Sequence, residues 1–172
     1  STDGAIIKNV KIRDAYVFGM RQTGGLVGRL VGSTVTNCTF VGKVSSRGEP
    51  AQQNSGVNVG GLVGLTTGST ITNCAVEAEI LVFGAHNRSE DDFSYTYVNK
   101  YFPYSNGSNV GGVIGGAADA ASTVTNVSFN GKVTVVSDGA DNGNAVGGFL
   151  GGGTFATITD CSATAEVSGG ER

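Results

Sequence analysis

Apolar and polar positions alternate along this chain only in short bursts, and each burst is bounded by Gly, Ser or Asn. Thr34-Val35-Thr36, Thr70-Ile71-Thr72, Thr123-Val124-Thr125 and Thr157-Ile158-Thr159 place one β-branched apolar residue between two threonines, and Ile6-Ile7-Lys8 opens the chain as a weaker copy. Such period-two runs predict strands. No segment carries the i, i+3, i+4, i+7 apolar spacing that would support a helix, so the pattern predicts an all-β chain.

The bursts repeat as larger units. Gly-Gly, an apolar pair and a further Gly occur at Gly24-Gly25-Leu26-Val27-Gly28, Gly60-Gly61-Leu62-Val63-Gly64, Gly111-Gly112-Val113-Ile114-Gly115 and Gly147-Gly148-Phe149-Leu150-Gly151. Each is followed by a Thr-rich segment, then by a third extended stretch: Gly42-Lys43-Val44, Ala78-Glu79-Ile80, Gly131-Lys132-Val133 and Ala165-Glu166-Val167. Residues that return once per long period imply coils stacked so that equivalent strands pair in parallel, about 4.8 Å apart. The expectation is one parallel β-solenoid (β-helix) domain over 1–172, with three short strands per coil and four to five coils. Its repeats run roughly over 5–23, 24–59, 60–110, 111–146 and 147–172, with one aromatic-rich insertion at about 83–107.

Stacking predicts ladders of like residues. Val35, Ile71, Val124 and Ile158 form an apolar column; strict alternation then turns Asn37, Asn73, Asn126 and Asp160 inward as an amide ladder. Beside them Val10, Cys38, Cys74, Val127 and Cys161 share one position, where Val and Cys interchange as small buried hydrophobes. A disulfide is open only to Cys38 and Cys74, on neighbouring rungs. The glycines have two readings, close approach of another wall or φ > 0 at corners.

Together, Gly-Gly-Leu-Val-Gly and Thr-Ile-Thr-Asn-Cys resemble the GLUG repeat over nearly the whole chain outside the insertion. That resemblance implies a noncatalytic module of an exported bacterial protein at the cell surface or outside the cell, either an adhesin or the noncatalytic region of an IgA-protease-type metallopeptidase. It implies no particular ligand, and the His-Glu-x-x-His motif of such peptidases is missing: His86 is the only histidine.

Composition narrows the functions further. A net charge of −3 with scattered Lys and Arg provides no phosphate-tracking stripe, which argues against nucleic acid as a partner. No apolar run is long enough to span a bilayer, and Ser1 does not begin a signal sequence, so any export signal is expected outside these residues or already removed.

Four of the five tyrosines lie in the insertion. Phe93, Tyr95, Tyr97, Tyr101, Phe102 and Tyr104 there make a candidate binding surface for a host glycan or protein, or alternatively a hairpin that covers a solenoid face. Asp138, Asp141, Asn142 and Asn144, with Glu90-Asp91-Asp92, are the oxygen-bearing candidates for calcium, although neither stretch has EF-hand spacing; no other cofactor is expected. The paired Thr rows resemble an ice-binding face, and they are equally what exposed strands select. Glu77, Glu79 and Glu166 are the carboxylates weighed for glycan hydrolysis, and solvated side chains are the simpler reading. Asn37, Asn87, Asn106 and Asn126 match the glycosylation pattern, and burial is expected to close the first and last of these. The uncapped coil ends predict either flanking repeats or other copies of the chain as neighbours, the second of which builds a filament.

Overall fold

The computed structural model describes residues 1–47, 57–83, 108–137 and 145–171. These form a right-through stack of coils with three faces. One face is a five-stranded sheet of β1 (Thr2–Asp3), β5 (Val27–Val31), β9 (Val63–Thr67), β12 (Ile114–Ala117) and β15 (Leu150–Gly152). A second, long face contains β2 (Ile6–Lys8), β3 (Lys11–Gly19), β6 (Thr34–Thr36), β7 (Thr39–Arg47), β10 (Thr70–Phe83), β13 (Ser122–Ser137), β16 (Phe155–Thr159) and β17 (Ser162–Glu171). The third is β4 (Gln22–Gly24), β8 (Asn58–Gly60), β11 (Asn109–Gly111) and β14 (Ala145–Gly147). All pairings between coils are parallel, and like residues meet as the repeat predicts, Ile71 beside Val35 and Val124 and Cys74 beside Val127, with register shifts only between Ile12 and Ala15 and between Ser122 and Thr123.

The faces are divided differently from the sequence expectation. The Thr-rich segment and the third extended stretch belong to one long sheet, bent at an Asn. The Gly-Gly motif, read as one strand, is a corner: Gly60 ends β8 and Val63 begins β9. This explains why the motif has no clean inward face, since Leu62 and Val63 are consecutive and both fully buried.

Of the two explanations for the motif glycines, close approach is the one the coordinates support. None of the glycines in the four motifs has a positive φ. A Cβ on Gly25 would lie 2.6 Å from the Phe40 ring, one on Gly61 2.7 Å from Val76, and one on Gly112 2.5 Å from Phe129. Phe40, Val76 and Phe129 share a column on the long sheet and reach across the core to rest on this corner. Phe40 and Phe129 are 0% and 2% exposed, a burial that contributes about 1.5–3 kcal/mol each.

The Asn column departs from its expected place. Asn9, Asn37, Asn73, Asn126 and Asp160 are exposed at an outer corner, and all hold φ between 52° and 60°. Asn and Asp tolerate this left-handed geometry better than other residues with a side chain, which accounts for the choice. Their amides still form a ladder, on the outside: Asn37 Nδ2 donates to Asn9 Oδ1 at 3.3 Å and Asn126 Nδ2 to Asn73 Oδ1 at 2.8 Å. Burial therefore does not close the glycosylation patterns at Asn37 and Asn126.

The internal polar ladder is made of serines. The Ala5 amide donates to Ser33 Oγ (3.0 Å), the Ser33 amide to Ser69 Oγ (3.1 Å) and the Ser69 amide to Ser122 Oγ (3.1 Å). These hydroxyls satisfy corner amides that would otherwise be buried without partners.

Candidate functional site

The outward face of the long sheet carries the side chains that are free to meet a ligand. Past the Asn corner each coil runs inward, outward, inward: Val76 and Ala78 are buried while Glu77 and Glu79 between and beyond them are exposed. Ala15, Gly42, Ala78 and Gly131 occupy the inward column between the two outward rows, so the strand backbone is the surface between those rows. A trough of about 800 Å³ results, open to solvent and running across the coils. Asp14, Val41, Glu77 and Asn130 form one wall; Tyr16, Lys43, Glu79, Lys132 and Glu166 form the other. Five rungs at about 4.8 Å per step give it a length of about 19 Å.

Charge alternates down the second wall. Lys43 Nζ meets Glu79 Oε2 at 2.7 Å, and Lys132 Nζ meets Glu166 Oε1 at 2.6 Å. The hydrogen bond and charge of Lys43 hold the Glu79 carboxyl below its ordinary range, and Glu79 in turn raises the Lys43 ammonium. Glu166 does the same for Lys132, with a smaller contribution from Glu79. In-register parallel stacking puts side chains of one column close together, so alternation of sign turns a repulsive column into a paired one. The same pairing bears on the carboxylates weighed for hydrolysis. A general acid needs a raised pKa, and Glu79 is shifted the other way.

The two Thr rows lie on the same sheet before the Asn corner. Thr34, Thr70, Thr123 and Thr157 form one row, Thr36, Thr72, Thr125 and Thr159 the other, with Ile6 and Lys8 on the first rung. Thr72 Oγ1 donates to Thr36 Oγ1 at 3.0 Å, so part of the hydroxyl capacity of the row is spent within it.

Cys38, Cys74 and Cys161 are free thiols in one inward column with Val10 and Val127. Burial raises the Cys74 thiol to about 11, and its Sγ contacts the Thr72 carbonyl oxygen at 3.1 Å. The aromatic candidates Phe93, Tyr95, Tyr97, Tyr101, Phe102 and Tyr104 and the calcium candidates Asp138, Asp141, Asn142 and Asn144 fall outside the described residues. Their segments join the long sheet to the third face, as does the segment 48–56, so all three insertions enter and leave at one corner. Among the described residues no group of three or more His, Cys, Asp or Glu side chains is close enough to hold a metal ion, and no helix is long and apolar enough to cross a membrane.

Sequence reasoning missed the trough wall and the serine ladder. The Lys/Glu alternation is visible in the third stretch of each repeat, and a serine precedes the Thr-rich segment at Ser33, Ser69 and Ser122.

Comparison with known families finds the GLUG motif at residues 21–45, 55–81 and 142–168. The coil between the second and third matches keeps their register, Val110 pairing with both Val59 and Val146. The GLUG motif is a repeat module, typically noncatalytic, that occurs in extracellular and surface proteins. No curated protein and no solved structure matches the chain.

Proposed function

We propose that this chain, a stack of coils carrying three GLUG motifs, is the adhesive rod of an exported bacterial surface protein, with the trough on its long sheet as the contact surface for an extended, uncharged glycan. The trough is the observation that carries the reading. It is long, shallow and open, dimensions that suit a polymer lying along the coil axis rather than a small molecule enclosed in a pocket. Its lining supplies hydroxyl-binding groups in Glu77, Asn130 and Asp14, and an exposed aromatic ring, Tyr16, at one end. The cations of the second wall are engaged by Glu79 and Glu166, which leaves little to attract an acidic chain.

Affinity electrophoresis through gels containing neutral or acidic polysaccharides tests this reading. Retardation by a neutral polysaccharide is expected, with Glu77→Lys combined with Asn130→Lys reducing it about tenfold or more, the equivalent of losing one good polar contact. Equal retardation of the double variant, or retardation by acidic gels alone, would remove the trough from consideration.

A further inference from the structure

We propose that the polymer the trough takes is a β-1,4-linked hexose chain, lying along the stack with one sugar ring to each coil and its twofold repeat matched to a repeat of two coils. This rests on the glycan reading of the trough and narrows it to one linkage class.

On the long sheet the coils alternate. β7 and β13 carry Phe-x-Gly-Lys-Val, at Phe40–Val44 and Phe129–Val133, whereas β10 and β17 carry a smaller apolar residue, then Ala-Glu and a branched one, at Val76–Ile80 and Ala163–Val167. In register these strands place Phe40, Val76, Phe129 and Ala163 in one inward column and Gly42, Ala78, Gly131 and Ala165 in the next. Large and small side chains therefore take turns in the core, where Phe40, Val76 and Phe129 are all buried. The glycines follow the same rhythm for a steric reason: a Cβ on Gly42 would meet the Ala15 carbonyl oxygen, and one on Gly131 that of Ala78. The outward column beside them reads Lys43, Glu79, Lys132, Glu166. A period of two coils thus runs from the core through the backbone to the second wall of the trough.

Two coils advance about 9.6 Å along the stack. In a β-1,4-linked hexopyranose chain both bonds to each ring are equatorial, which keeps the chain straight, brings the advance per ring close to the spacing of one coil, and turns each ring half a revolution from the last. One edge of such a ribbon presents a hydroxymethyl group and a pair of ring hydroxyls in turn, with the same two-step period as the wall. Lys43 and Lys132 each engage one carboxylate, Glu79 and Glu166, so the ammonium groups keep hydrogens to donate and the carboxylates keep lone pairs that accept. Donor and acceptor stations then alternate at the spacing of the rings, while the charges cancel within the wall and suit a neutral chain. Glu77 and Asn130 meet the opposite edge across the backbone floor. An α-1,4-linked chain curls away from a straight trough within a few rings.

Affinity electrophoresis in hydroxyethyl cellulose and hydroxyethyl starch compares β-1,4- with α-1,4-linked neutral glucose polymers bearing the same substituent, and glucomannan serves as an unsubstituted β-1,4-linked probe. Retardation by the two β-linked gels is expected to exceed that by the starch about tenfold or more. Lys43→Glu combined with Glu79→Lys keeps the pair and the net charge but ends the alternation, because the base then adjoins Lys132; it is expected to lose about tenfold. Adding Lys132→Glu and Glu166→Lys restores the alternation one coil out of phase, and a twofold ribbon recovers most of the binding by sliding one ring. Circular dichroism of each variant establishes that the sheet content is unchanged. Retardation by starch equal to that by the β-linked gels, or a double variant that binds as well as the parent or a fourfold variant no better than the double, overturns the linkage inference and leaves the glycan trough standing. Retardation by none of the three neutral gels overturns both.

Discussion

The buried amide of Ser33 donates to Oγ of Ser69 at 3.1 Å, one coil further along the stack. Ser69 is itself held, its hydroxyl donating to the Thr67 carbonyl at 2.9 Å and its amide to Ser122 Oγ at 3.1 Å. The corner amides of Ala5, Ser33 and Ser69 thus each depend on a hydroxyl from the next coil, and are satisfied only when that coil is in place.

Ser69→Ala strands the Ser33 amide in the core, where an unsatisfied donor costs about 1–3 kcal/mol. Ser33→Ala is expected to cost less, because the amide that relies on it, that of Ala5, is in the part-buried first coil. Urea denaturation of the two variants measures the difference. Equal losses would mean that the corner amides draw no stability from the ladder.

Gly112→Ala tests the close approach of the corner to the core. The added methyl would lie 2.5 Å from the Phe129 ring and would also meet the Gly148 carbonyl, so ring and backbone must both move. Overpacking of this kind costs about 1–3 kcal/mol. The substitution Phe129→Leu made together with Gly112→Ala is expected to recover only part of the loss, since the carbonyl stays where it is. Full recovery in thermal melts would assign the glycine to the ring alone.

The Lys43–Glu79 pair gives stability a defined dependence on pH. Glu79 is lowered from its ordinary 4.5 by Lys43, so its contribution is present above that value and is lost as pH falls through the lowered pKa. Lys43 is raised from 10.5 by Glu79, so its contribution is present below that value and is lost as pH rises through the raised pKa. Between these limits the pair's contribution is flat. Glu79→Lys places three ammonium groups on consecutive rungs, with Lys43 and Lys132 as neighbours. Its Tm is expected to fall at low salt, and most of the loss is recovered at 1 M salt, where the Debye length is about 3 Å. A salt-independent loss would point to packing instead of charge.

The columns were legible from the repeat, because in-register stacking preserves residue type from coil to coil. Cys38, Cys74 and Val127 are in line for this reason alone. The inward or outward direction was legible only where the strand is regular. Counting by twos from Val35 sends Asn37 inward, but the left-handed conformation at Asn37 interrupts the alternation, leaving Asn37 exposed and Cys38 buried. The corner at Gly25-Leu26 has the same effect on the glycine motif. The trough was not legible because its two walls come from two outward positions repeated on successive coils, and its floor is the strand backbone between them.

That interruption is itself open to experiment at Asn73, which holds φ 53° and accepts from Asn126 Nδ2 at 2.8 Å on the exposed corner. A side chain with a Cβ costs about 1–2 kcal/mol in the left-handed region, and Asn offsets part of this by bonding locally. Ala has the penalty without the offset, whereas Gly has neither. Asn73→Ala is therefore expected to destabilise the protein by about 1–2 kcal/mol, and Asn73→Gly by only a few tenths, in chemical denaturation. The order of the two variants decides the matter. Were the amide ladder the main contribution of this column, both substitutions would remove it equally and their costs would coincide; if Ala proved the milder change, the corner would not need the left-handed backbone at all.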